Sequence, residues 1–172
     1  MPHEYLTITG KSLSLRDLTA RERQFLAEVN DKYSEHAEWN EFASWWVNRI
    51  NEYELGLTTA AYTICNDLEA RLGIAQGKAA PPDYRRYLLD MIEEKWGTRF
   101  RFCRETGFDP GQLSRILAGK ANFSLKALQK ITGLLNARLV IIPDEEMKKR
   151  IGPTQAKQVL SSLSPGSFLS NS

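Results

Sequence analysis

The chain has 172 residues and 42% hydrophobic content, enough for one medium domain or two small ones with a buried core. Its longest aliphatic run, Leu139-Val140-Ile141-Ile142, is far short of the roughly 20 apolar residues a membrane-spanning helix requires. The opening Met-Pro-His-Glu-Tyr lacks the basic-then-apolar pattern of a secretory signal, so a cytoplasmic protein with no membrane partner is expected. The net charge of +2 conceals a segregation: residues 1–80 hold 8 Lys/Arg against 12 Asp/Glu, residues 81–142 hold 11 against 6, and the remainder 4 against 3. A basic segment beside an acidic one fits a nucleic-acid-binding module attached to another unit, although two ordinary solvated surfaces would also accommodate it.

The first helix signal is Thr19-Ala-Arg-Glu22, a capping box in which hydroxyl and carboxylate satisfy backbone donors reciprocally. Phe25, Leu26, Val29 and Tyr33 then recur at helical spacing. Trp39, Phe42, Ala43, Trp46, Ile50 and Tyr53 repeat the period in a second helix that ends at Gly56, and this aromatic stripe reads as a core face rather than a ligand box. Thr58 or Thr59 caps a third helix carrying Ala61, Ile64, Cys65, Leu68 and Leu72 before Gly73. The result is a small helical unit over residues 1–73 whose role the residues do not disclose. Glycines and paired prolines then predict a linker over 74–82.

Beyond the linker, Tyr84, Tyr87, Leu88, Met91 and Ile92 define a helix ending near Trp96-Gly97. Thr98 caps the next, with Phe102 and Cys103 inward and Gly107 supplying a left-handed turn. Asp109-Pro110-Gly111-Gln112 combines a capping Asp, Pro at the first helical position and Gln at the capping-box position. That helix turns Leu113, Ile116 and Leu117 inward, stops at Gly119, and leaves Gln112 and Arg115 three apart on its other face. After Lys120-Ala121-Asn122-Phe123, Ser124 caps a fourth helix with Leu125, Leu128, Ile131 and Leu135 as its apolar face.

The β-branched and aliphatic run 137–142, ending before Pro143, predicts one short strand. A single strand cannot satisfy its own backbone, so pairing with a second subunit or a partner protein is expected. Asp144 then caps a short helix with acids first and Lys148, Lys149 and Arg150 last, the order the helix dipole favours. From Gly152 the chain is Ser, Pro and Gly rich, and its last twelve residues, six of them serine, are expected to be mobile within a tail over 144–172.

Only Cys65 and Cys103 occur, both on apolar helix positions, so no disulfide framework is implied. His3 and His36 match no ligand spacing, and neither a metal nor a cofactor is expected. No constellation of acid, base or nucleophile and no Gly-rich phosphate loop argues for an enzyme.

The stretch 83–143 resembles the helix-turn-helix family of phage repressor and Cro type, often called the Xre family. The resemblance lies in Phe102-Cys103, a large then a small apolar residue, and in Gly107-Phe108 at the turn. Leu113-Ser114-Arg115-Ile116 with Gly119-Lys120 is similar to the recognition-helix signature, and Ser124-Leu125 through Ile131 to the helix after it. The match covers about a third of the chain. It implies a mainly all-α fold, with a small helical unit followed by a four-to-five-helix repressor-like domain and a terminal strand, a feature shared with many Xre-type antitoxins.

By the same resemblance the protein is a repressor-like transcriptional regulator that binds double-stranded DNA as a homodimer. Base contacts fall on Gln112, Arg115 and Gly111, and phosphate contacts on Arg99, Lys120, Asn122 and Thr98. The family often has Gln where Arg99 stands, and Arg serves the same purpose. Pro110 and Gly111 offer no side-chain hydrogen bond where the family has polar residues, which narrows readout to Gln112 and Arg115. Each residue also has a plainer reading: Arg115 as a solvated cation, Gln112 as a cap, Arg99 and Lys120 as solubilising charge. The alternative function is a protein that binds a partner, neutralising a toxin or serving as a scaffold, and Pro110 and Gly111 favour it.

Overall fold

The structure, a computed structural model, describes residues 4–33, 37–141, 143, 146–147 and 151–161. It is mainly helical, with eight helices and one two-stranded sheet among the described residues, in keeping with an all-α fold. The chain forms two compact units. The first comprises Met1–Ile8, Ser12–Pro81 and Pro143–Ser172, and the second Thr9–Lys11 and Pro82–Ile142.

The first unit is not wholly helical. Strand β1 (Glu4–Leu6) pairs antiparallel with β2 (Ser12–Ser14), with Tyr5 opposite Leu13. Two three-residue strands are too short to display an alternation, and this hairpin was not legible in the sequence. Helix α1 (Ala20–Lys32) begins at the expected capping box, both halves of which form between Thr19 and Glu22. Phe25, Leu26, Val29 and Tyr33 are fully buried. Helix α2 (Trp39–Glu52) buries Phe42, Trp46 and Ile50, and α3 (Ala60–Ala75) buries Ala61, Ile64, Cys65, Leu68 and Leu72. Thr59 caps α3 by accepting from the Tyr62 backbone N–H.

Helix α3 does not stop at Gly73. It runs to Ala75, and a Cβ on Gly73 would lie 3.1 Å from both Ala79 Cβ and Trp39 Nε1, so this glycine permits a close approach rather than ending a helix. Gln76, within the expected linker, accepts from the Trp39 backbone N–H at 3.1 Å and donates to the Ala37 carbonyl at 2.6 Å, fastening the start of α2.

The expected tail also departs from its reading. Pro153–Ser161 form helix α8, which packs against α1 and α3 and buries Ala156 and Leu160 in the first unit's core. Proline at a first helical position is compatible with a helix start, and the Ala156, Val159, Leu160 spacing is amphipathic, although serine and glycine around it obscure the pattern. Glu146 and Met147 are helical, whereas Asp144, Lys148, Lys149, Arg150 and residues 162–172 lie outside the described residues.

The second unit contains α4 (Tyr84–Trp96), α5 (Arg99–Thr106), α6 (Pro110–Leu117) and α7 (Leu125–Leu134). Each starts at an oxygen-bearing cap, Asp83, Thr98, Asp109 and Ser124 respectively, whose side chain accepts from a first-turn backbone N–H. Leu88, Ile92, Trp96, Phe102, Cys103, Phe108, Leu113, Ile131 and Leu135 form the core.

The expected strand over 137–142 is not formed: residues 137–141 have no regular secondary structure, and Ile142 lies outside the described residues. Leu139, Val140 and Ile141 are 53%, 68% and 96% exposed. A strand exists only as one side of a ladder, and within the described residues of one chain no second side is offered.

Candidate nucleic-acid interface

The geometry of the site is set by its buried residues. Trp96 meets Phe102 edge-on at 4.9 Å between ring centroids, Phe102 lies 6.0 Å from Phe108, and Phe108 meets Phe123 edge-on at 6.1 Å. These aromatic contacts tie the end of α4, the body of α5, the turn and the loop after α6 into one packed row. Gly107, at φ 70° and ψ 19°, takes the left-handed conformation that closes α5 and donates its N–H to the Cys103 carbonyl at 2.9 Å. One residue later Phe108 is buried, and Asp109 begins α6. The interval between the helices is therefore short and conformationally defined, as a helix-turn-helix requires.

Helix α6 separates its faces cleanly. Leu113 and Ile116 are buried, while Gly111, Gln112, Ser114 and Arg115 are exposed. Asp109 Oδ1 accepts from the Gln112 backbone N–H at 2.5 Å, but the return half of the expected capping box is not formed. The Gln112 side chain thus has no hydrogen-bond partner among the described residues, and neither does Arg115. Three residues apart, they are offset by only about 60° around the helix, which leaves the amide and the guanidinium projecting from the same exposed face.

The phosphate-contact candidates differ in how free they are. Thr98 Oγ1 accepts from the Arg101 backbone N–H at 3.1 Å and caps α5, retaining its own O–H as a donor. Arg99 lies 3.9 Å from Glu93, a loose ion pair at an exposed site. Asn122 Oδ1 is occupied, accepting from the Arg85 guanidinium at 2.7 Å. Lys120 is exposed and unpaired among the described residues. Arg85 was not singled out by the sequence. It bridges Asn122 and Asp83, and its guanidinium carbon sits 5.0 Å from the centroid of the Tyr84 ring, a clasp between the start of α4 and the loop after α6. Nothing in the spacing of Asp83, Arg85 and Asn122 marks residues 37 positions apart as neighbours.

The distribution of positive charge within this unit is uneven. Residues 82–109 hold six Lys/Arg and six Asp/Glu. All six cations are engaged: Arg85 with Asp83, Arg86 with Asp90, Arg99 with Glu93, Arg101 and Arg104 with Glu105, and Lys95 with the Leu134 carbonyl. Residues 110–142 hold five cations and no acid. Arg115, Lys120, Lys126, Lys130 and Arg138 are exposed, and among the described residues none has an ion-pair partner. The whole surplus of +5 therefore lies on α6, the loop after it, α7 and the segment that follows.

Among the described residues no group of three His, Cys, Asp or Glu is placed to hold a metal ion, and His3 and His36 lie outside them. Cys65 and Cys103 are free thiols buried in the two cores, where burial pushes both pKa values up. None of the described helices is long and apolar enough to cross a membrane. No family model, no curated protein and no solved structure matches the chain.

Proposed function

We propose that the protein is a DNA-binding transcriptional regulator that presents α6 to the major groove, with Gln112 and Arg115 reading base edges. The observation that carries this reading is the exposed face of α6 itself, two hydrogen-bonding side chains without a partner among the described residues, opposite buried Leu113 and Ile116, on a helix fixed to α5 by a left-handed glycine turn. Gln suits the adenine edge and Arg the guanine edge, and the neighbouring acid-free cations supply counterion release on a phosphate backbone. The test is mobility shift of the full chain on genomic fragments across a salt series. Binding that weakens steeply with salt is expected, and no binding at low salt overturns the reading.

Leu139, Val140 and Ile141 favour a dimeric regulator. An exposed aliphatic segment whose backbone groups have no partner among the described residues is completed economically by the same segment of a second copy. The pairing would set two recognition helices against two half-sites.

A further inference from the structure

We infer that Lys126 and Lys130 of α7, together with Lys120, bind the phosphate backbone of the DNA and add anchoring contacts to those of α6. This rests on the DNA-binding reading and assigns its anchoring residues. Lys126 and Lys130 are four apart, so they lie one turn above each other on a single face. That face is the solvent side of α7: Gln129 and Gly133, which share it, are exposed, while Ile131, Thr132 and Leu135 are buried on the opposite side. Substituting these lysines therefore leaves the core untouched.

Two observations separate these lysines from the paired cations of the unit. They lie in the stretch 110–142, which has no carboxylate to compensate them. Neither has an ion-pair partner among the described residues, whereas Arg101 is held by Glu105 at 2.7 Å and Arg86 by Asp90 at 3.3 Å. Unpaired ammonium groups bring their full charge to a phosphate, while a cation already sharing its charge with a carboxylate must first give up that partner. Positive charge without local compensation is what an acidic polymer selects, and a regular duplex backbone suits a row of lysines because it demands charge at intervals rather than a directed hydrogen-bond pattern.

The experiment compares two charge-matched double variants of the full chain on a short random-sequence duplex: Lys126→Gln with Lys130→Gln, and Arg101→Gln with Arg104→Gln. Thermal unfolding verifies that both stay folded. The lysine variant is expected to make the plot of log affinity against log salt shallower by about 1.8, the value for two lost phosphate contacts, with the arginine variant leaving it nearly unchanged. An unchanged slope in the lysine variant overturns the assignment, and equal losses in both variants overturn it too, since net charge rather than these lysines would then be responsible. If the unaltered chain itself does not bind DNA, the functional reading falls together with this one, an outcome distinct from the other two.

Discussion

Arg71 Nε donates to Asp67 Oδ2 at 2.7 Å one turn apart on α3, and both side chains are about 95% buried. Around them the remaining valences are filled. Asp67 also accepts from the Tyr5 hydroxyl at 2.6 Å and the Ile8 N–H at 2.7 Å, while Arg71 donates to the carbonyls of Leu6 at 2.9 Å and Ile151 at 3.2 Å. One ion pair thus fastens both the N-terminal hairpin and the return of the chain after residue 143 to the centre of the first unit. Buried charge is tolerated here because nearly every donor and acceptor is used.

Breaking that pair should be costly. Arg71→Met leaves Asp67 buried without its countercharge, and Asp67→Leu leaves the guanidinium in the same position. Each is expected to lower stability by about 3–5 kcal/mol, measured by urea unfolding. The double variant, which leaves no stranded charge, should lose less than the sum of the two. Additive losses would show that the two side chains act independently.

Alkaline pH should unfold the first unit. Burial raises the pKa of the Tyr5 hydroxyl, reinforced by the nearby Asp67 charge, and burial likewise raises that of Tyr33, whose hydroxyl has no hydrogen-bond partner among the described residues. A phenol kept neutral in the folded state contributes stability that is fully present below its unfolded pKa of about 10 and is lost as pH rises above it. Phenolate absorbance followed alongside circular dichroism is expected to show part of the tyrosine titration arriving only with unfolding. Full titration in the folded protein would contradict the burial of these two hydroxyls.

Readout and anchoring should separate at α6. Arg115→Ala is expected to cost roughly 1–3 kcal/mol against a cognate site and far less against random DNA, because a guanidinium reading guanine discriminates between sequences. Lys120→Ala should weaken all sequences alike and reduce the salt slope by about one. Competition binding with cognate and random duplexes measures both. Should Arg115→Ala weaken the two equally, the side chain is another phosphate contact, and selectivity falls to Gln112 and DNA shape.

Val140→Pro tests the exposed segment. Proline removes a backbone donor from any ladder built on residues 139–141, so sedimentation is expected to shift from dimer toward monomer. The folded chain itself should be unaffected, since Val140 is 68% exposed and has no partner within it among the described residues. A dimer that persists places the subunit contact elsewhere.

What the residues announce by themselves is local. The helix starts at Thr19, Thr98, Asp109 and Ser124 were legible, and that of α3 to within Thr58 or Thr59, because a capping oxygen acts on an N–H two or three positions away, and the buried faces of α1, α2 and α6 because helical period places core residues in register. The turn at Gly107 was legible for the same reason, since a left-handed residue is a property of one position. Of the apolar face expected for α7, Leu128, Ile131 and Leu135 pack into the core but Leu125, in the first turn, is 63% exposed. The tertiary structure alone decided which distant pieces meet: Tyr5 with Asp67, Arg71 with Ile151, Arg85 with Asn122, and Pro153–Ser161 with the core of the first unit. It also decided which cations are already spent on carboxylates and which remain free. Pairings across tens of residues leave no periodicity to read, because their energy depends on the desolvation and geometry of the folded chain rather than on any spacing within it.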